Sequence, residues 1–189
     1  SNTPVQIMGK YNKYMDTMSI VLDSVTAVEG LTIDQFLPTK YNVDAYWNAL
    51  QQIGKQKLSE FAYSILDKVL LSNKEVADRF KIEFAAMSHH DNCKSGLLAH
   101  TVKVVSNLNF MLTAYPNILR GTDEEKKSQT DLYFLGAIHH DIGKVREMEL
   151  GIYQPVSRVT HRYLGAEYIA EYKKEIVEHY DEEWYYHLM

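Results

Sequence analysis

One cysteine, Cys93, stands in 189 residues, so no intramolecular disulfide framework braces this chain, and that usage suits a reducing, cytoplasmic compartment. No apolar run approaches the length needed to cross a bilayer, and the N-terminus lacks a secretory pattern, so no membrane partner is expected. Positive charge is not in excess either. The formal net charge of −5 weighs against a bulk electrostatic grip on nucleic acid, though it leaves room for a local basic channel. Internal repeats and low-complexity tracts are missing. What the chain does have is apolar mass: it is 46% hydrophobic, with 14 tyrosines, enough for one good-sized core and a small appendage.

The hydrophobic pattern changes period along the chain. Val5 and Ile7 alternate before Gly9, and Met18, Ile20 and Leu22 alternate before Gly30, which predicts a β-hairpin over residues 1–30. A lone two-stranded hairpin is marginal in water and must find something to pack on. From Asp44 onward the period becomes helical. Tyr46, Trp47 and Leu50 mark one helix, Phe61, Ile65, Leu66 and Val69 a second, and Val76, Phe80 and Phe84 a third. Residues 120–129 read as a polar loop or a solvated helix start, and residues 145–158, with Gly151 and Pro155, as an irregular loop. The expected fold is mainly α, with residues 31–43 connecting the hairpin to a helical domain over 44–189.

Six of the eight histidines fall between His89 and His161. At the end of an apolar run stands Gly136-Ala137-Ile138-His139-His140-Asp141-Ile142-Gly143-Lys144. Burying an aspartate without a partner is costly, and helix neighbours project only about 100° apart, so one cation can collect both His140 and Asp141. Upstream, Leu97, Thr101, Val104, Leu108, Met111 and Tyr115 form an amphipathic stripe stopped by Pro116, with His100 at its edge. Mutual satisfaction of His100, His140 and Asp141 through a metal is the simplest account of these buried polar groups. A third stretch, Thr160 to Tyr168, places His161 on the inward face of a helix that Gly165 and Ala166 keep slim. Taken alone, His161 reads equally well as a first-turn surface residue.

His100, the His140-Asp141 pair and His161 resemble the metal-binding series of the HD superfamily of phosphohydrolases. Within it the chain is most similar to the YhaM-type 3′-to-5′ exoribonucleases, which join an OB-fold to an HD domain. The likeness is carried by His89-His90 followed by Gly96-Leu97-Leu98-Ala99-His100-Thr101, by the Gly136–Lys144 string, and by His161 with Gly165-Ala166-Glu167. Phe36-Leu37-Pro38-Thr39 resembles the family's interdomain connector. The resemblance implies an HD-type helical bundle, a hairpin corresponding to the end of an OB-fold, and a sequence cut at both ends. By that resemblance most of a barrel would precede the hairpin, and a helix carrying a His-His pair and then a closing aspartate would follow Met189.

Imidazoles and a carboxylate suit manganese, cobalt, iron, nickel or zinc, as one ion or two. Such a metal lowers the pKa of bound water and polarises a phosphoryl oxygen. His100, His140, Asp141 and His161 are the expected ligands. Asp141 is also expected to orient the attacking water, Lys144 to contact a phosphate as a point charge, and His90 to serve substrate phosphate or proton transfer. Lys94, Lys103, Arg146, Arg158 and Arg162 lie beside the same motifs. The resulting expectation is a 3′-to-5′ exonuclease on single-stranded RNA, with single-stranded DNA as a further substrate and assembly into a homo-oligomer left open. The alternatives are a small-molecule nucleotide phosphohydrolase and a catalytically silent binding module.

Overall fold

The computed structural model describes residues 3–37, 39–88 and 91–189. It is mainly helical with an N-terminal antiparallel hairpin, as the two periods require. The chain divides into two compact units, residues 1–38 and 39–189.

In the first unit, β1 (Val5–Tyr14) pairs with β2 (Thr17–Ala27). The turn lies at Met15, in the left-handed region at φ 51°. Residues opposite one another share a face: Val5 opposes Ala27, Ile7 opposes Val25, Tyr11 opposes Ile20 and Lys13 opposes Met18. One side is therefore apolar but for Lys13, while the other mixes Gln6, Asn12, Ser19, Ser24 and Thr26 with Met8, Tyr14 and Val21. Gly9 ends no strand. It lies within β1 beside a register shift, where an added Cβ would come 2.4 Å from the Val21 carbonyl.

In the second unit, helices begin where side chains cap free amides. Asn42 caps α1 (Val43–Lys57), and Ser59 caps α2 (Glu60–Leu66), which runs on into a π-helical turn over Asp67–Leu71. Asn73 caps α3 (Lys74–Ile82). The longest helix, α4 (Gly96–Ala114), leaves a left-handed Ser95, and α5 (Asp123–His139) starts from a reciprocal Thr122/Glu125 capping box. Leu50, Leu66, Leu70, Phe80, Leu97, Leu98, Phe134, Leu135 and Ile138 meet in one core. Each contributes about 1.5–3 kcal/mol by leaving water.

Residues 145–158 are not the irregular loop expected. They hold α6 (Lys144–Glu147), a short hairpin of β3 (Met148–Glu149) and β4 (Ile152–Tyr153), and a 3-10 turn over Pro155–Arg158. The cause is a tertiary contact. Glu83 is fully buried, and its carboxylate accepts from the Leu150 and Gly151 amides at 3.0 and 2.8 Å. Both residues adopt positive φ to reach it. Then follow α7 (His161–Ala170), α8 (Lys173–His179) and α9 (Glu182–Leu188). Buried Asp131 fastens this end to the body, accepting from Ser59 N and Tyr180 Oη, both at 2.8 Å.

Candidate metal centre

Four elements converge at the end of α5. Helix α4 buries Leu97, Leu98, Thr101, Val102 and Val105, which leaves His100 on its flank. The helix α5 stops at His139, and His140 and Asp141 occupy the turn that leads into α6. Close backbone approach brings in α7. A Cβ on Gly143 would lie 1.9 Å from the His161 carbonyl and 2.5 Å from the Gly165 amide. Only glycine lets this turn touch the start of α7, and that contact carries His161 to Asp141.

Nε2 of His100 lies 3.2 Å from Nε2 of His140. Oδ2 of Asp141 lies 3.2 Å from the His140 nitrogen and 3.5 Å from the His100 nitrogen. Donors bound about 2.0–2.2 Å from one ion at tetrahedral or octahedral angles sit roughly 3.0–3.5 Å apart, so the three atoms fit a shared divalent cation. His161 joins from the other side, its Nε2 3.3 Å from Asp141 Oδ1.

Each imidazole also turns its second nitrogen towards an oxygen. His140 Nδ1 donates to the Ala137 carbonyl at 2.8 Å, and His161 Nδ1 to buried Glu147 at 2.9 Å. His100 Nδ1 faces Asp91 Oδ2 at 3.9 Å. Because a carbonyl and a carboxylate only accept, a neutral His140 or His161 keeps its proton on Nδ1, which leaves Nε2, the nitrogen nearer Asp141, as the atom that can take a metal. Asp91 is held in turn by the Tyr41 hydroxyl and by Lys103 Nζ at 2.6 Å.

The charges reinforce this arrangement. Burial would raise the pKa of Asp141, but hydrogen bonds and charge from His140 and Lys144 outweigh it and hold the carboxyl well below the usual range. Asp141 is thus an anion at any pH near neutrality. Burial pushes the pKa of His140 down, but the hydrogen bond and charge of Asp141 together with the Ala137 carbonyl outweigh it, so its pKa rises. Burial likewise opposes the ionised form of Asp91, and the Lys103 and Tyr41 hydrogen bonds prevail and lower its pKa. His139 is different. Only 6% exposed, it is driven down to about 4 by burial, partly opposed by the Leu135 carbonyl. Neither of its ring nitrogens makes a well-formed hydrogen bond among the described residues.

The structure thus brings His100, His140 and Asp141 together, with His161 beside them. Lys144, the expected phosphate contact, donates instead to Asp141 Oδ2 at 2.8 Å and to the Ala85 carbonyl at 2.6 Å. His90 lies outside the described residues. Sequence reasoning missed Glu147 and Asp91, the outer partners. Asp91 stood in plain view beside His89-His90, whereas Glu147 sat in a stretch taken for a loop. A cavity of about 390 Å³ opens at the centre, lined by His139, His140, Asp141, His161, Arg162 and Gly165 among others.

The fold and site together define a mainly helical protein with a candidate divalent-metal centre. Among curated proteins the chain is distantly similar to the 3′-5′ exoribonuclease YhaM of Listeria monocytogenes, at 25% identity over 152 residues, covering 76% of this chain and 43% of that protein. It is similar also to YhaM of Bacillus velezensis, 26% identical over 153 residues with 78% and 44% covered. For YhaM of Bacillus subtilis the identity is 26% over 151 residues, with 77% and 44% covered. The chain therefore spans less than half the length of these relatives. No protein-family profile matches it, and no solved structure does.

Proposed function

We propose that this chain carries the hydrolytic centre of a metal-dependent phosphodiesterase that removes nucleotides from the 3′ end of single-stranded RNA. The carrying observation is the convergence of His100, His140 and Asp141, whose ligand atoms all lie within 4.8 Å of one another. The distant likeness to proteins named 3′-5′ exoribonuclease supports the reaction and the polymer substrate. Membership of the HD superfamily is part of the same reading.

A bound divalent ion supplies an acidified water and polarises a phosphoryl oxygen. The chain's own residues prepare for it. His100 and His140 offer lone pairs at Nε2, and ionised Asp141 offers Oδ2 to the same point. Asp141 Oδ1 faces His161, whose ring is steadied by Glu147 and which stands as a fourth donor. Lys144 balances the Asp141 charge from within, so the carboxylate stays in place without a ligand. His90 remains a proposed participant in proton transfer.

A second reading is favoured by the cavity, whose volume is near the small end of ligand sites, and by the net charge of −5: hydrolysis of free nucleotides. One experiment separates the two. The full chain, with manganese or cobalt, is given 5′-labelled single-stranded RNA, and products are resolved by length and mass. A ladder shortening from the 3′ end with mononucleotide release supports the exonuclease; hydrolysis of free nucleotides with RNA untouched supports the second reading. Asp141→Ala should reduce turnover by at least 100-fold while the far-ultraviolet dichroism is unchanged, since a ligand and its charge are lost. Undiminished cleavage by that variant would remove the metal centre from the mechanism.

A further inference from the structure

Several cations lie beside the histidine motifs, and the structure sorts them. Lys103 is bound to Asp91 at 2.6 Å and to the Tyr41 hydroxyl at 3.1 Å. Lys144 is spent on Asp141 and the Ala85 carbonyl, and its side chain is only 14% exposed. Arg146 pairs with Glu167 and lies over the Tyr168 ring, and Lys94 is engaged as well. Arg158 is exposed in the turn before α7 and does not line the cavity. Arg162 remains. It follows His161 in the first turn of α7 and lines the same cavity as His140, Asp141 and His161. Among the described residues its guanidinium makes no ion pair, hydrogen bond or ring contact, and it is exposed.

We infer that Arg162 is the residue that holds the substrate's phosphate at this centre, the role that position alone would give to Lys144. This rests on the phosphohydrolase reading above. Moving the Lys144 ammonium to a substrate would strip Asp141 of its counter-charge and leave the Ala85 carbonyl unsatisfied, which costs more than the new contact returns. Arg162 has nothing to give up. A guanidinium stays charged at every working pH and presents a planar fork that meets two phosphate oxygens at once. Placed one residue from His161, it sets the phosphate against the cavity side of Asp141. The specificity that follows is for a terminal or bridging phosphate group, with no demand on the base.

Inorganic phosphate and adenosine 5′-monophosphate are the probes, titrated calorimetrically into the manganese-loaded full chain, with manganese affinity measured separately. Arg162→Ala should weaken both ligands at least 10-fold while manganese affinity changes less than twofold. Arg162→Lys should fall between, because a point charge keeps the attraction and loses the two-pronged fit. On RNA, the Arg162→Ala loss should appear chiefly in KM. If the parent binds manganese and phosphate and Arg162→Ala binds both equally well, the assignment is overturned while the phosphohydrolase reading stands. A parent that takes up manganese but neither phosphate ligand overturns both.

Discussion

The hairpin and the helical unit have comparable local encoding and opposite burial. In the hairpin every residue of both strands is exposed, and Val5, Ile7, Tyr11, Met18, Ile20, Leu22 and Val25 are each about half exposed or more on the same face. In the helical unit, Leu50, Ile65, Leu66, Leu70 and Phe80 are fully covered. Both patterns are amphipathic. The difference is a second layer: helices α1 to α5 bury their stripes against one another, whereas the two strands of the hairpin unit have no second layer of their own to cover an apolar face. A periodic sequence encodes an element, and only packing turns that element into stability.

The comparison breaks most directly in the core. Phe134→Ala should cost about 3–5 kcal/mol, since removing a fully buried ring leaves a cavity in the core of the helical unit. Urea titration followed by helical dichroism measures it. A loss below about 1 kcal/mol would mean that the helical core is no better consolidated than the hairpin.

A smaller effect should come from His139, and it depends on pH. Its folded pKa of about 4 lies below the ordinary 6.5, so the folded state stays neutral while the unfolded chain takes up a proton. Stability therefore falls as pH drops from about 6.5 towards 4, by up to roughly 3 kcal/mol from this one group. His139→Leu should remove that part of the acid limb and be neutral or mildly stabilising at pH 7, because an unpartnered buried polar ring is replaced by an apolar one. Denaturation midpoints at pH 5 and 7, taken with chelator present, check it. Identical acid sensitivity in parent and variant would show that the ring is not held neutral.

The smallest change belongs to the hairpin. Ile20→Ser removes a half-exposed side chain and should shift unfolding of the full chain by less than about 0.5 kcal/mol. A loss of 2 kcal/mol or more in the same urea titration would show that the apolar face is covered in solution.

Much of the fold was legible from periodicity. The stripe from Leu97 to Tyr115 marks α4 almost to its last residue, and the alternation before Gly30 marks the hairpin. The site was legible in part. His100, His140 and Asp141 were singled out because polar residues stood where a stripe or an apolar run demanded burial, and the structure gathers them. Residues 145–158 were not legible. Their turns are bent by Glu83, more than sixty positions away, and no local pattern carries that instruction.

By itself the sequence determined the two periods, hence a hairpin followed by helices, because backbone geometry alone ties a spacing to a face. It also determined that His140 and Asp141 stand side by side, since they are consecutive residues. Tertiary structure decided the rest. It set which cation neutralises Asp141, it supplied Glu147 and Asp91 behind the histidines, and it brought His161 within reach through the contact of Gly143 with α7. Those outcomes turn on separations of an ångström or two between distant residues, a scale that packing sets and spacing along the chain does not record.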